Sequence, residues 1–268
     1  MHNKKQVSLG ELGPSYFDLQ ADIGSTKHAG SIKTTRELIE LCNLNEGKYV
    51  LDVGCGVGMT SCYIAKNHSC RVVGIDNSER MIDRSNERAK RESIKDRVEF
   101  RVADAQNLPF DHNLFDAVIS ESVTALLEDK QRALSEYVRV TKPSGYVGLN
   151  EMTWMKTPPK ELVEYYYRST GIKPETFDNW KKLIKNSRLK NIILRTYRMN
   201  AISDFIDIIK QLGFKDFSTA LHRFLFLYIT SSAYRTYINA QFNIYKETGP
   251  PPKTILEYLG YGIFVGRK

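Results

Sequence analysis

Residues 50–60 read VLDVGCGVGMT. A short apolar run empties into three glycines at alternate positions, Gly54, Gly56 and Gly58, with Asp52 two residues ahead of the first. The pattern fits a strand that ends in a tight turn and hands the chain to a helix. Glycines there let the main chain approach a ligand with no Cβ in the way. A glycine-rich turn alone is a common feature, so its surroundings must say what it holds.

From residue 34 onward the chain alternates helical and strand signals. TTRELIELCNL is amphipathic, MTSCYIAKN reads as a helix, and SERMIDRSNERAKRES is a charged helix with Ser78 as its N-cap. YVLDV, RVVGID, VEFRVAD, FDAVISE and YVGLNEMTW read as five short strands. The helix KQRALSEYVRVTK precedes the fifth strand and is expected to stop at Pro143 and the turn Ser144-Gly145. Such alternation implies βαβ units and a parallel sheet covered on both faces. Right-handed crossovers bring the C-terminal strand ends to one edge, where open α/β sheets bind ligands.

Beyond the fifth strand the rhythm changes. PKELVEYYYRST and PETFDNWKKLIKNSR read as helices and NIILRTYRM as a strand. Residues 201–247 read as almost wholly helical and rich in aromatics, among them Phe205, Phe224, Tyr234 and Tyr245. GPPPK breaks that block, and YLGYGIFVGR closes the chain as a strand. The expected organisation is an N-terminal lid segment at 1–33, a core at 34–200, a helical insertion at 201–250 that caps the site or dimerises, and a final core strand at 251–268.

The chain of 268 residues is 41% hydrophobic and 26% charged, a globular balance long enough for one large domain. No apolar run approaches the roughly 18 residues that span a bilayer, and MHNKKQVSLGELG lacks the apolar core of a signal peptide. Cys42, Cys55, Cys62 and Cys70 show no CxxC pairing, which favours free thiols in a cytoplasmic protein over a metal site. The net charge of +8 lies wholly in the second half, where residues 151–268 carry 19 Lys+Arg against 10 Asp+Glu. WKKLIKNSRLKNIILRTYR is the densest part. It suits an anionic substrate or a nucleic-acid surface, but a solvated helix face is the favoured reading, since Trp180 and Ile184 recur at helical spacing away from the lysines.

Asp76 closes the second strand 22 residues after Gly54, where an acid suits bidentate hydrogen bonding to ribose hydroxyls. Two facts separate the nucleotide-like cofactors. A dinucleotide turn reads G-x-G-x-x-G and receives a pyrophosphate. This turn reads G-x-G-x-G, and Asp52 before it would repel a pyrophosphate but suit a sulfonium or ammonium group. No G-x-x-x-x-G-K-[ST] is present, which excludes a P-loop. VADAQNLPF then follows the third strand, where Asp104 can accept from an exocyclic adenine amine and the Ala105 N–H can meet a ring nitrogen.

Taken in order, VLDVGCGVG, VVGID, VADAQNLPF, FDAVIS and VTKPSGYV resemble the class I S-adenosylmethionine-dependent methyltransferases, in particular the small-molecule group with the ubiquinone/menaquinone and tocopherol enzymes. The resemblance covers roughly residues 15–153. It implies a Rossmann-like, seven-stranded, mostly parallel α/β sheet with helices on both faces, plus a helical cap between the last two strands. It also implies S-adenosylmethionine as cofactor: Gly54, Cys55 and Gly56 would line its methionine part, Asp76 its ribose, Asn77 and Met81 its adenosine, and Asp104 and Ala105 its adenine. Glu121 falls where the family receives the amino-acid end. The family often has Lys-Pro-Gly-Gly where this chain has Lys142-Pro143-Ser144-Gly145, a departure confined to a turn.

Methyl transfer from a sulfonium has an excellent neutral leaving group, so placement and desolvation supply much of the acceleration. If a base is needed, His28 and Glu121 are the candidates, with Glu151 beside them and Tyr16 as a lid residue at the cofactor. For each the plainer alternatives are an exposed histidine, solvated or cofactor-binding acids, and a packing tyrosine. The acceptor is a small molecule, apolar if the aromatic block receives it and anionic if the basic run does. Rival readings are an RNA or protein methyltransferase on the same fold and a catalytically silent cofactor-binding regulator. An NAD oxidoreductase is disfavoured by the glycine spacing.

Overall fold

The computed structural model describes residues 16–24, 28–199, 217–239 and 252–268. Helix α1 (Tyr16–Ile23) is followed by α2 (Ser31–Leu41), β1 (Tyr49–Val53), α3 (Met59–His68), β2 (Arg71–Asp76), α4 (Glu79–Arg91), β3 (Val98–Val102), β4 (Phe115–Glu121), α5 (Lys130–Val140) and β5 (Thr141–Trp154). Then come α6 (Lys160–Thr170), the two-residue β6 (Glu175–Thr176), α7 (Phe177–Asn186) and β7 (Lys190–Arg198). Residues 217–230 (α8) and 232–239 (α9) are helical, and α10 (Pro252–Tyr258) leads into β8 (Leu259–Arg267).

The strands lie in the order β3-β2-β1-β4-β5-β8-β7, with β6 alongside β5. Strands β1 to β5 run parallel, and β8 is antiparallel to both of its neighbours. The seven principal strands are those expected, and the fold is the expected Rossmann-like α/β sheet. Alternation along each strand separates two cores. Val50, Val72 and Ile119 pack with Leu38, Ile64 and Ile82 of α2 to α4 on one face. Leu51, Val73 and Val118 pack with Leu134, Trp180 and Ile184 of α5 and α7 on the other. The edge strands β3 and β7 are the exposed ones, and Glu99, Arg101, Lys190 and Arg195 on them discourage further strand pairing. On α7, Trp180 and Ile184 are buried while Lys182 and Lys185 stand in solvent, so the start of the basic run is a solvated helix face.

Two boundaries differ from expectation. Helix α5 ends at Val140, and Pro143 sits inside extended chain that already belongs to β5. A residue before proline is biased away from helix, so Lys142 turns extended. The Thr141 hydroxyl caps the end by donating to the Tyr137 carbonyl at 2.6 Å. A register shift opposite Phe115–Ala117 absorbs the early start. Of the three prolines expected to break a helix, Pro252 is the first residue of α10, where proline loses no intrahelical hydrogen bond, and the other two lie outside the described residues. The helical insertion is described only in α8 and α9, and the remainder of 201–250 lies outside the described residues.

The order reverses at β1, which has β2 on one side and β4 on the other. In sheets of this kind ligands bind at the carboxyl ends of the strands flanking that reversal. Val53 pairs with Ser120, so the glycine turn after β1 and Glu121 at the end of β4 emerge side by side.

Candidate active site

A cavity of about 570 Å³ opens at this switch point. Its floor is the glycine turn. Gly54 has φ +70° and Gly56 φ +54°, the left-handed region that favours glycine. A Cβ at Gly54 would lie 2.1 Å from Val123 Cγ2, so any side chain there would push the loop after β4 away. The turn is held by the Cys55 N–H donating to the Ile75 carbonyl at 2.8 Å.

Asp76 forms the next wall. Its Oδ2 accepts from the Gly56 N–H at 3.0 Å and its Oδ1 from the Ser78 N–H at 2.9 Å, which fixes the carboxylate against the turn. Burial raises its pKa, and those N–H donors pull it back. Ser78 is the N-cap of α4 as expected, its hydroxyl accepting from the Met81 N–H. Asn77, Met81, Asp104 and Ala105 line the same wall, and Asp104 Oδ1 accepts from the Gln106 N–H at 2.8 Å. Cys55 is buried, which holds its thiol well above the ordinary range and makes it a poor nucleophile.

Asp52 lies deeper and is 2% exposed, with the Ser61 hydroxyl donating to its Oδ2 at 2.5 Å. Burial, reinforced by the nearby charges of Glu121 and Asp76, pushes its pKa up to about 7.

A further part of the lining comes from the segment before α2 and the end of β4. His28 Nδ1 lies 3.5 Å from Glu121 Oε1, and its Nε2 is 3.2 Å from Thr35 Oγ1. Both residues line the cavity, and the histidine side chain is only 12% exposed, so it is no surface histidine. Glu121 accepts from Thr60 Oγ1 at 2.8 Å, from Thr35 Oγ1 at 3.1 Å and from Asn150 Nδ2 at 3.3 Å. Three long-range bonds dock this wall: the Ala29 N–H donates to Ser122 Oγ, and Asn150 Nδ2 donates to the Ala29 carbonyl and to Thr34 Oγ1. Ser122 itself takes φ +60°, a costly conformation for a residue with a Cβ, immediately after Glu121.

Phe17, Asp18 and Gln20 of α1 complete the lining. Arg80 of α4 reaches Asp18 and Asp22, and the Tyr234 hydroxyl of α9 donates to Asp22, so α1 is clamped between the core and the helical insertion. Tyr16 opens α1, and its side chain lies outside the described residues.

Ten of the eleven residues expected at the cofactor therefore line one cavity, together with His28. Glu151 does not line it. It is fully buried on β5, with Oε1 accepting from the Val123 and Thr124 N–H groups and Oε2 from Ala125 N–H. It holds the loop behind the site and cannot reach a substrate. Burial pushes its pKa up to about 7 as well. Thr35, Thr60 and Asn150 gave no signal in the sequence, because tertiary docking alone brings them to Glu121.

Asp52 and Glu151 make stability fall with rising pH. Their folded pKa values of about 7 lie above the ordinary 3.8 and 4.5, so the folded state holds these protons more tightly. That stabilisation is complete below about pH 4 and is lost as pH climbs through 7. The ligand-free protein should lose on the order of 2–3 kcal/mol per group between pH 5 and 8. Thermal unfolding across that range should show a falling Tm, with a shallower fall in Asp52→Asn; a rising Tm contradicts it.

Residues 51–149 match the family described as a methyltransferase domain. That stretch is a methyltransferase domain by this match. A Haemophilus influenzae protein of uncharacterized role is 28% identical over 202 residues, 74% of this chain and 79% of that one. Phosphoethanolamine N-methyltransferase of Triticum aestivum is 30% identical over 164 residues, 61% of this chain. The match spans about a third (32%) of the wheat enzyme. Among solved structures, the [4+2]-cyclase SpnF superposes with a TM-score of 0.71 at 19% identity, covering 94% of this chain and 93% of that one. That likeness speaks to fold alone, and a cyclase on a methyltransferase fold shows why the acceptor and reaction must be argued from the site. No described helix is long and apolar enough to cross a membrane.

Proposed function

We propose that the chain transfers a methyl group from S-adenosylmethionine to a small organic acceptor bound in the cavity at the ends of β1 and β4. The single observation that carries this reading is that His28 and Glu121 meet in the same cavity that Gly54 and Asp76 line, so cofactor-type and acid–base groups share one chamber.

The residues fit the cofactor. The cavity falls in the roughly 300–1,000 Å³ range of small-molecule sites. The turn at Gly54 and Gly56 is left-handed and lines the cavity, so its main chain carries no side chain between it and a ligand. Asp76, with its oxygens fixed by Gly56 and Ser78, is preorganised to accept from two ribose hydroxyls. Asn77 and Met81 would flank the adenosine, and Asp104 and the Ala105 N–H would read the adenine edge. Gly54, Cys55 and Gly56 would present main-chain groups to the amino-acid part, with Asp52 and Glu121 countering its positive charges. When bound, the cofactor supplies an electrophilic methyl group.

The chain's own contribution is placement, exclusion of water and a proton acceptor. Helix α1, with Tyr16 at its start, serves as the lid, while α8 and α9 belong to the acceptor cap. His28 takes a proton from the acceptor, and Glu121, hydrogen-bonded by Thr35 and Thr60, orients the imidazole and stabilises its cation. Four buried free cysteines support a reducing, cytoplasmic setting. Incubation with methyl-labelled S-adenosylmethionine and fractionated cell extract should label a low-molecular-weight fraction. Label confined to RNA or protein favours the macromolecular rival, and no label in any fraction contradicts the enzyme reading.

A further inference from the structure

Thr35 Oγ1 lies 3.1 Å from Glu121 Oε1, 3.2 Å from Glu121 Oε2 and 3.2 Å from His28 Nε2. One hydroxyl hydrogen has to serve all three atoms. The neighbouring Thr34 keeps to the habit of threonine in a helix and donates to the Ser31 carbonyl at 2.8 Å. Thr35 instead turns away from its own helix, toward side chains 7 and 86 residues away. It is 1% exposed, so water has almost no access to that hydroxyl.

Glu121 determines where the hydrogen goes. A carboxylate only accepts, and a hydrogen bond to it is about twice as strong as one between neutral groups. The Thr35 hydrogen therefore belongs to Glu121, which leaves the lone pairs of Oγ1 facing His28 Nε2. Only an N–H can satisfy them there. A neutral imidazole carries a single hydrogen, and the bond made by one ring nitrogen sets the state of the other, so Nδ1 is bare. Nδ1 lies 3.4 Å from the Ala29 carbonyl oxygen and 3.5 Å from Glu121 Oε1. Both oxygens repel a bare lone pair, and both would receive a hydrogen placed on Nδ1.

We propose that Thr35 is a positioning residue that fixes the His28 tautomer, with the hydrogen on Nε2 and Nδ1 left as the nitrogen that takes the acceptor's proton. This rests on the methyltransferase reading above and adds the residue that selects the working atom of the base. The proton leaves the acceptor for Nδ1, the electron pair it leaves behind bonds the methyl carbon, and the C–S pair stays on sulfur. Glu121 Oε1 and the Ala29 carbonyl are placed to meet the new N–H. Thr60 and Asn150 also donate to Glu121, so its carboxylate keeps donors when Thr35 is changed.

The test is ring 15N–1H correlation NMR of the full chain at about pH 8.5, well above the ordinary histidine range, where bare and hydrogen-bearing ring nitrogens give widely separated signals. Of the five histidines, His28 is the one whose signals vanish in His28→Gln. The native ring should show its hydrogen on Nε2. In Thr35→Val, which keeps the side-chain shape and drops the hydroxyl, the hydrogen should move to Nδ1, and Thr35→Ala should do the same. Thr35→Ser should restore the native pattern. With the acceptor found by label transfer, kcat should fall at least about ten-fold in Thr35→Val, while KM and S-adenosylhomocysteine affinity stay within about three-fold. Thr35→Ser should recover kcat to within about three-fold of native. A native ring with hydrogen on Nδ1 or on both nitrogens overturns the proposal, as does a native pattern or native kcat in the valine and alanine variants. Absence of S-adenosylhomocysteine binding by the native chain overturns the methyltransferase reading instead, whatever tautomer the ring shows.

Discussion

Turnover by His28→Gln should fall about 10²- to 10⁴-fold, equivalent to about 3–5 kcal/mol of transition-state stabilisation, if the histidine is the proton acceptor. The imidazole lines the cavity, held between Thr35 Oγ1 and Glu121 Oε1. Glutamine preserves much of the hydrogen bonding but cannot accept a proton at neutral pH. Affinity for S-adenosylhomocysteine should stay within about three-fold, because the proposed cofactor contacts do not include His28. Steady-state kinetics with the acceptor found by label transfer, paired with a binding titration, separates the two effects. Unchanged turnover would make His28 a packing residue and leave placement alone as the source of catalysis.

Glu151→Ala should destabilise the fold by about 3–5 kcal/mol, with little direct effect on substrate contacts. The substitution leaves the Val123, Thr124 and Ala125 N–H groups without their acceptor in a buried loop, and each orphaned donor costs about 1–3 kcal/mol. Water entering the vacated space offsets part of that. Glu151→Gln should cost less, since its amide oxygen can still serve Val123 and Thr124 while its NH2 confronts the Ala125 N–H. Chemical denaturation of the two variants should therefore rank alanine well below glutamine, and glutamine below the native chain. An alanine variant as stable as the native chain would mean that the loop finds other partners.

Much of the glycine-turn side of the cavity was legible in the sequence because its determinants are local. The left-handed turn demands glycine at Gly54 and Gly56, Ser78 caps the helix that follows its own strand, and Asp76 ends that strand within hydrogen-bond reach of Gly56. The sheet was legible for the same reason, since apolar strands and amphipathic helices alternate in short units. The part of the lining around His28 was not. His28 meets Glu121 only because Ala29 docks on Ser122, a partner 93 residues away. Nothing in a linear pattern specifies that contact, and so the sequence could offer His28 and Glu121 only as separate candidates. Glu151 carried a misleading position, near the end of a strand like the site residues. Its meaning lies in full burial on an interior strand, where a carboxylate survives only by collecting backbone donors.

The reading of the chain as an S-adenosylmethionine enzyme stands most directly on one measurement: titration of the native protein and of Asp76→Ala with S-adenosylhomocysteine, followed by calorimetry and thermal unfolding. Selective binding to the folded state stabilises it by about 2.7 kcal/mol at a ligand concentration 100 times the Kd, a rise in Tm of several degrees. The account predicts one site on the native chain and affinity weaker by about 1–3 kcal/mol in Asp76→Ala, whose ribose-facing carboxylate is gone. No heat of binding and no rise in Tm for the native chain at saturating ligand would contradict it.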